Sequence, residues 1–291
     1  MKKALSVLLA TVIALCSLFG VVGFADGGTN KSDALLSGLV NQKSLTVSLD
    51  DSNFATIPIK IKNVSLSAQF TKNDSGSYDV KLGGSGKIGP FNAKVIGNND
   101  ELTVYFLFFK MNAAALLGDD FSLSALTQEI APILDMLNED TLGYLQYNQT
   151  IAERDGVYGN VQVEQYVPNL RKIAEALVAA SGEEIDISTM TDEQLLALVM
   201  NCDDDAAAEL KDLLSMHIEF VYKDGTLVNV RVLTLNQFTG QYTDRMFDLT
   251  GDLGMKFKAI ESPAKDSAFK SQFFAIDLTG LLTSLLRGII G

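Results

Sequence analysis

Leu102-Thr103-Val104-Tyr105-Phe106-Leu107-Phe108-Phe109-Lys110 is the stretch on which the fold turns. It comes after the turn-forming Asn98-Asn99-Asp100 and has the aromatic and β-branched content of a strand. A half-exposed strand alternates apolar with polar residues. Here Val104, Phe106 and Phe108 share one row, Tyr105, Leu107 and Phe109 the other, and both rows are apolar. The run therefore predicts one strand covered on both faces, by packed helices or by something apolar that is not this protein.

On its N-terminal side the chain reads as an antiparallel meander. Leu45, Val47 and Leu49 alternate, as do Ile57, Ile59 and Ile61, and the phase then slips, since Val64, Leu66, Ala68 and Phe70 are even-numbered. A slip of one residue predicts a bulge near Lys62-Asn63, as a curved sheet needs. Asn73-Asp74-Ser75-Gly76 turns the chain into Tyr78, Val80 and Leu82. Gly83-Gly84-Ser85-Gly86 is read as a bend before Phe91, Ala93 and Val95. Ahead of the meander, Ser32 is placed to cap a short helix carrying Leu35, Leu36 and Leu39.

On its C-terminal side the spacing turns helical. Ser122 opens a helix with Leu126, Ile130, Ile133, Leu134 and Leu137 on one face, kinked or broken near Pro132. A strand pair re-enters around Tyr158 to Val167. Three helices come next: Asn169 to Ala180, a capping box at Thr191-Asp192-Glu193-Gln194 leading into Leu195 to Met200, and one opened by Asp203-Asp204-Asp205. The chain returns to strands at Ile218, Phe220 and Tyr222, turns at Asp224-Gly225, and leaves along Val228, Val230 and Val232. Met246 to Leu249 and Met255 to Ile260 read as two closing strands, ended by Ser262-Pro263. Asp277 caps a last helix with Leu278, Leu281, Leu282, Leu285, Leu286, Ile289 and Ile290 on one side. Its other side is small and neutral except for Arg287, which suits a plug or lid in the sheet's apolar face better than a membrane anchor. The expected fold class is α+β: a curved antiparallel sheet, half-barrel-like, covered by helices on one face, with a helical insertion and a C-terminal amphipathic helix.

Residues 1–25 carry a basic start, an apolar run, and Gly23 and Ala25 at the spacing of a signal cleavage site, leaving residues 26–291 as one domain. An uncleaved anchor and lipidation at Cys16 are the alternatives. Cleavage removes Lys2 and Lys3 and no acid, taking the net charge from −13 to −15. That charge disfavours nucleic acid and anionic membrane surfaces as partners. Only Cys202 would remain, so no disulfide can form within the mature chain. The expected location is secreted or cell-surface, in a bacterial envelope.

Chemistry is sparse. His217, the sole histidine, heads a strand and is read as solvent-side, and His-rich zinc sites are excluded. Cys202 abuts three aspartates that discourage a thiolate. Gly83-Gly84-Ser85-Gly86-Lys87-Ile88 lacks the spacing and the hydroxyl of a phosphate loop. Ser262-Pro263-Ala264-Lys265 matches a penicillin-binding Ser-x-x-Lys, but no Ser-Asp-Asn accompanies it. The aspartates at 203–205 lack calcium-loop spacing. No cofactor or metal and no enzymatic activity are expected.

The order of export signal, short helix, long meander, helical insert, second meander and apolar helical cover resembles the half-barrel of bacterial lipoprotein carriers and the related lipid-binding envelope lipoproteins, over Ser32 to Ile260. The block from Asn169 to Ser215 departs from that pattern. The resemblance implies a curved sheet whose concave face holds acyl chains. The candidate ligand-lining residues are Val104, Phe106, Phe108 and Phe109 on the opening strand, with Phe220, Val230 and Val232 in the second meander. The expected function is an exported, non-enzymatic binding protein for an acyl chain or other apolar ligand; the competing reading is an envelope structural or regulatory domain with no small-molecule ligand.

Overall fold

A computed structural model describes residues 30–50, 61–99, 101–112, 123–136, 138, 143–181, 185–199, 214–271 and 275–279. The export signal, Ile57 and Ile59, Cys202, the helix start at Asp203-Asp204-Asp205 and the C-terminal helix beyond Thr279 lie outside these residues. The fold is α+β, with two mostly antiparallel sheets.

The first sheet has eight strands in the order β12-β1-β2-β3-β4-β5-β6-β13. These are β1 (Ser44–Leu49), β2 (Ile61–Lys72), β3 (Tyr78–Ile88), β4 (Phe91–Asn98), β5 (Glu101–Phe106), β6 (Phe109–Asn112), β12 (Phe257–Glu261) and β13 (Ile276–Asp277). The second sheet has five, in the order β11-β10-β9-β8-β7: β7 (Leu145–Asp155), β8 (Gly159–Pro168), β9 (Met216–Lys223), β10 (Thr226–Asn236) and β11 (Gln241–Asp248). The helices are α1 (Lys31–Gln42), α2 (Leu123–Met136), α3 (Leu170–Ser181), α4 (Asp192–Val199) and α5 (Leu249–Leu253).

Local sequence explains most turns. Asn73 accepts the backbone N–H groups of Ser75 and Ser77 at 3.2 and 3.1 Å, closing the β2–β3 hairpin. Asp224 and Gly225 both take positive φ, 49° and 83°, as a two-residue hairpin turn demands. The phase slip in β2 is a bulge: the β2–β3 register shifts between Lys62 and Ser65, with Asn63 at φ 51°.

One core joins both sheets. It takes Val47, Phe70, Val80 and Ile260 from the eight-stranded sheet and Tyr166, Phe220, Val230 and Val232 from the five-stranded one. Leu36 and Leu39 of α1 and Leu134 of α2 complete it. Two buried polar ties hold the sheets in place. Glu164 of β8 accepts the N–H groups of Lys31 and Ser32 at 3.2 and 3.0 Å and the Ser32 hydroxyl at 2.5 Å. A carboxylate at a helix N-terminus satisfies orphan donors and meets the positive end of the dipole. Ser32 is therefore not the cap expected from sequence; Asn30 stands at the N-cap without a side-chain bond, and Glu164 supplies the missing acceptor from another element. The second tie is Tyr158, at the β7–β8 turn. Its hydroxyl donates to the Val228 carbonyl at 3.0 Å and accepts the Phe257 N–H at 2.9 Å, linking β10 to β12.

Four sequence expectations are corrected. The opening stretch is not one strand: β5 stops at Phe106, Leu107 takes φ 57° at a tight turn with Phe108, and β6 begins at Phe109. An unbroken apolar run carries no turn residue to announce that reversal. The predicted single sheet is two, because β7, whose outward residues are polar and exposed, pairs only with β8 and starts a separate sheet. Of the two closing strands, the first begins earlier, at Gln241, and belongs to the five-stranded sheet; after α5 the second, β12, joins β1 in the other. Gly83 to Gly86 do not separate two strands, since β3 runs through them, Gly83 to Ser85 paired on both sides and Gly86 paired with β4 opposite the β2 bulge. The helical block keeps a small core of its own, with Ile173 and Ala174 of α3 against Leu195 and Val199 of α4. The capping box there forms as read, with Thr191 and Gln194 exchanging bonds at 2.9 and 3.4 Å.

Glu164→Ala leaves the buried Ser32 N–H and the part-buried Lys31 N–H without an acceptor, at about 1–3 kcal/mol for a buried donor. A loss of about 2–5 kcal/mol in urea unfolding is expected; an unchanged midpoint would show that α1 docks without this tie.

Candidate functional site

The seven candidate lining residues do not share one cavity. Phe220 and Val230 are fully buried in the joint core, and Val232 is nearly so. Phe108 stands at the β5–β6 turn, 54% exposed. Val104, Phe106 and Phe109 are half-buried and lie together on one face of the eight-stranded sheet.

That face is set by register. Leu66, Gly84, Val95, Val104 and Met111 are opposite one another across β2 to β6, so their side chains point the same way. One step along, Gly86, Ala93, Phe106 and Phe109 form a second row, continued by Ile276 of β13. Val47 pairs with Leu66, so this is the face that enters the core at β1. The joint core cluster, however, takes its residues from β12, β1, β2 and β3 and none from β4, β5 or β6, although Leu102 of β5 is buried on this same face. Over that far part the apolar rows continue only half-buried, and Phe91 and Ile276 are 45% and 48% exposed. Phe91 meets Phe106 edge-on at 6.0 Å between ring centres, closing one end.

The glycine run shapes both sides of β3. On the apolar face, a Cβ at Gly84 would touch Leu66 and Val95 at 3.5 and 3.4 Å, and one at Gly86 would meet Ile61 at 3.3 Å. Their absence leaves a floor one strand wide, flanked by the side chains of β2 and β4, whose backbones stand about 9.5 Å apart. On the opposite face, a Cβ at Gly83 would lie 2.5 Å from the Ala268 carbonyl oxygen. Glycine there lets the 3-10 turn Asp266–Phe269 lie flat on the sheet, where Lys94 holds it by donating to the carbonyls of Ser267 and Lys270 at 2.9 and 2.6 Å. Burial lowers the Lys94 pKa from its ordinary value. Under this segment is a cleft of about 390 Å³ lined by hydroxyls, among them Thr46, Ser48, Ser65 and Ser67. Thr46 and Ser67 bond to each other at 2.8 Å.

The most charged interior lies elsewhere, in the five-stranded sheet. His217 is buried at 4% exposure, which corrects its reading as solvent-side. Its Nε2 is 2.9 Å from Glu219, with the Tyr242 ring centre 4.3 Å from its own. Glu219 also accepts from Gln165 at 2.9 Å and pairs with Arg231 at 2.7 Å. Arg231 in turn donates to Glu153 at 2.5 Å and lies 3.8 Å from Asp155. β10 and β7 are separated by β9 and β8, so an Arg231–Glu153 bond requires this sheet to bend sharply across that face. A residue-by-residue reading had no way to see a partner so distant in sequence as Glu153. Burial pushes the Glu219 carboxyl up, but His217, the Arg231 charge and Gln165 more than offset it, and its pKa lies below the ordinary value. Three carboxylates, Glu219, Glu153 and Asp155, converge on the one Arg231 guanidinium, the arrangement of a structural network.

Among the described residues no group of three His, Cys, Asp or Glu side chains is placed to hold a metal ion, and no helix is long and apolar enough to cross a membrane. No protein-family model, curated protein or solved structure matches this chain.

Arg231→Met strands buried carboxylates, and a loss of about 3–5 kcal/mol in chemical denaturation is expected; a near-wild-type midpoint would contradict the network. Because the Glu219 pKa is lowered on folding, its contribution is present above the ordinary value of 4.5 and fades as pH falls through the folded value. Glu219→Gln should flatten the acid limb of a stability–pH curve; an unchanged limb would mean that other carboxylates set it.

Proposed function

We propose that the chain is an exported, non-enzymatic binding protein of the cell envelope that holds an acyl chain, or a similarly elongated apolar ligand, on the open apolar face of the eight-stranded sheet. The observation that carries this reading is the pair of half-buried apolar rows, Val95–Val104–Met111 level with Gly84 and Ala93–Phe106–Phe109 level with Gly86, which run from the glycine floor across β4 to β6 outside the joint core. A contiguous apolar surface on a strongly acidic chain favours an apolar partner over anionic surfaces. The site is narrower than first expected from sequence: Val104, Phe106 and Phe109 belong to it, while Phe220, Val230 and Val232 serve the core. The half-barrel likeness to lipoprotein carriers, which rests on element order in the sequence, agrees with this use.

Filling the glycine floor tests the reading. Protein purified without detergent is titrated with cis-parinaric acid, whose fluorescence rises in an apolar site. Wild type should bind saturably, and Gly84→Leu and Gly86→Leu, placed on a half-exposed face, should keep their fold while weakening binding at least about tenfold, which corresponds to about 1.4 kcal/mol. No binding by wild type would favour the structural or regulatory domain instead. Full binding by both filled variants would move the ligand away from this face.

A further inference from the structure

The reverse face of the eight-stranded sheet carries hydroxyls where the open face carries apolar side chains. Two rows follow from register. Ser48, Ser65, Ser85 and Lys94 are opposite one another across β1 to β4, and Glu261, Thr46, Ser67 and Gly83 across β12 to β3. On β3 this face presents Lys81 and Lys87, with only Gly83 and Ser85 between them. Long side chains thus bound a trough of short ones. The chain leaving β12 then roofs it. At one end the Ser262 hydroxyl donates to the Ser44 carbonyl at 2.6 Å, and the Ala264 N–H donates to the Ser44 hydroxyl at 3.0 Å. At the other, Lys94 holds the carbonyls of Ser267 and Lys270, and Gly83 admits the Ala268 carbonyl against the sheet. The cleft of about 390 Å³ between roof and trough is within the size range of small-molecule sites.

Its lining both donates and accepts. A hydroxyl offers one O–H and two lone pairs. Thr46 bonds to Ser67 at 2.8 Å, and Ser48 donates to Ser65 at 3.3 Å, so each pair uses one O–H and keeps one, with lone pairs to spare. Ser85 adds a further hydroxyl. The Lys94 ammonium spends two of its three N–H groups on the roof carbonyls and keeps one. Glu261 lines the same cleft with a carboxylate, which only accepts. An oxyanion asks for donors alone and would meet that carboxylate. An apolar chain would desolvate the hydroxyls without replacing their bonds to water. A molecule whose own hydroxyls donate and accept can satisfy every group. We propose that this cleft is a second binding site, separate from the apolar face, for a neutral polyhydroxylated ligand, a sugar or a polyol.

Saturation-transfer-difference NMR of the full chain tests it, with glucose, N-acetylglucosamine and the open-chain polyol sorbitol titrated in turn and inorganic phosphate as competitor. At least one of the three should bind saturably and resist phosphate; whether sorbitol binds as the sugars do tells a polyol site from a sugar site. Ser48→Ala/Ser65→Ala removes both partners of one hydroxyl pair and so strands neither. Ser85→Phe fills the trough from an exposed position. Each variant should weaken binding at least about tenfold, and Ser85→Phe decides alone if the double variant does not fold. No saturable signal from any of the three, or displacement by phosphate, overturns the ligand class. Full binding by Ser85→Phe overturns the cleft as the site.

Discussion

Eight strands face five. The five-stranded sheet and the helices close a core over β12, β1, β2 and β3, and the apolar pattern of the larger sheet does not stop where that core ends. Apolar area left in water forgoes about 25 cal/mol per Å² relative to burial. Beyond β3 the pattern could end or turn polar. Instead Val95, Val104, Phe106, Phe109 and Met111 extend it across three more strands. The glycines of β3 belong to the same constraint. Gly83 yields space to the C-terminal segment on one face, while Gly84 and Gly86 lower the floor on the other.

The small sheet is pinned at three places. Glu164 fixes α1 against β8, Tyr158 fixes the β7–β8 turn against β10 and β12, and Arg231 draws β7 toward β10 across its own face. Each of these ties joins buried polar groups whose desolvation is offset only when all partners are in place. α2 adds a further restraint near the boundary, where Asp135 accepts from the Tyr78 hydroxyl at 2.7 Å and pairs with Lys72 at 2.6 Å.

Much of the scaffold is legible in the sequence where the signal is local. The Asn73 and Asp224-Gly225 turns, the Lys62-Asn63 bulge and the Thr191 capping box all form where their residues stand, because each depends on a few neighbouring atoms. The division into two sheets is not legible, since pairing partners are chosen across the chain. The break in the opening stretch is hidden for a related reason: Leu107 carries φ 57° without the glycine or asparagine that usually signals such a turn. His217 reads as exposed because period-two patterning names its face but not what bends over that face. Of the candidate site, the half on β5 and β6 is legible as an excess of apolar residues. The glycine floor is not, because a glycine run inside a strand reads first as a bend.

Native mass spectrometry of the protein, purified without detergent and exposed to a bacterial lipid extract, reads ligand occupancy without a reporter. An acyl-chain ligand on the open face predicts a bound population carrying one lipid mass, depleted in Gly84→Leu. Protein that stays wholly at its apo mass in the presence of lipid contradicts it.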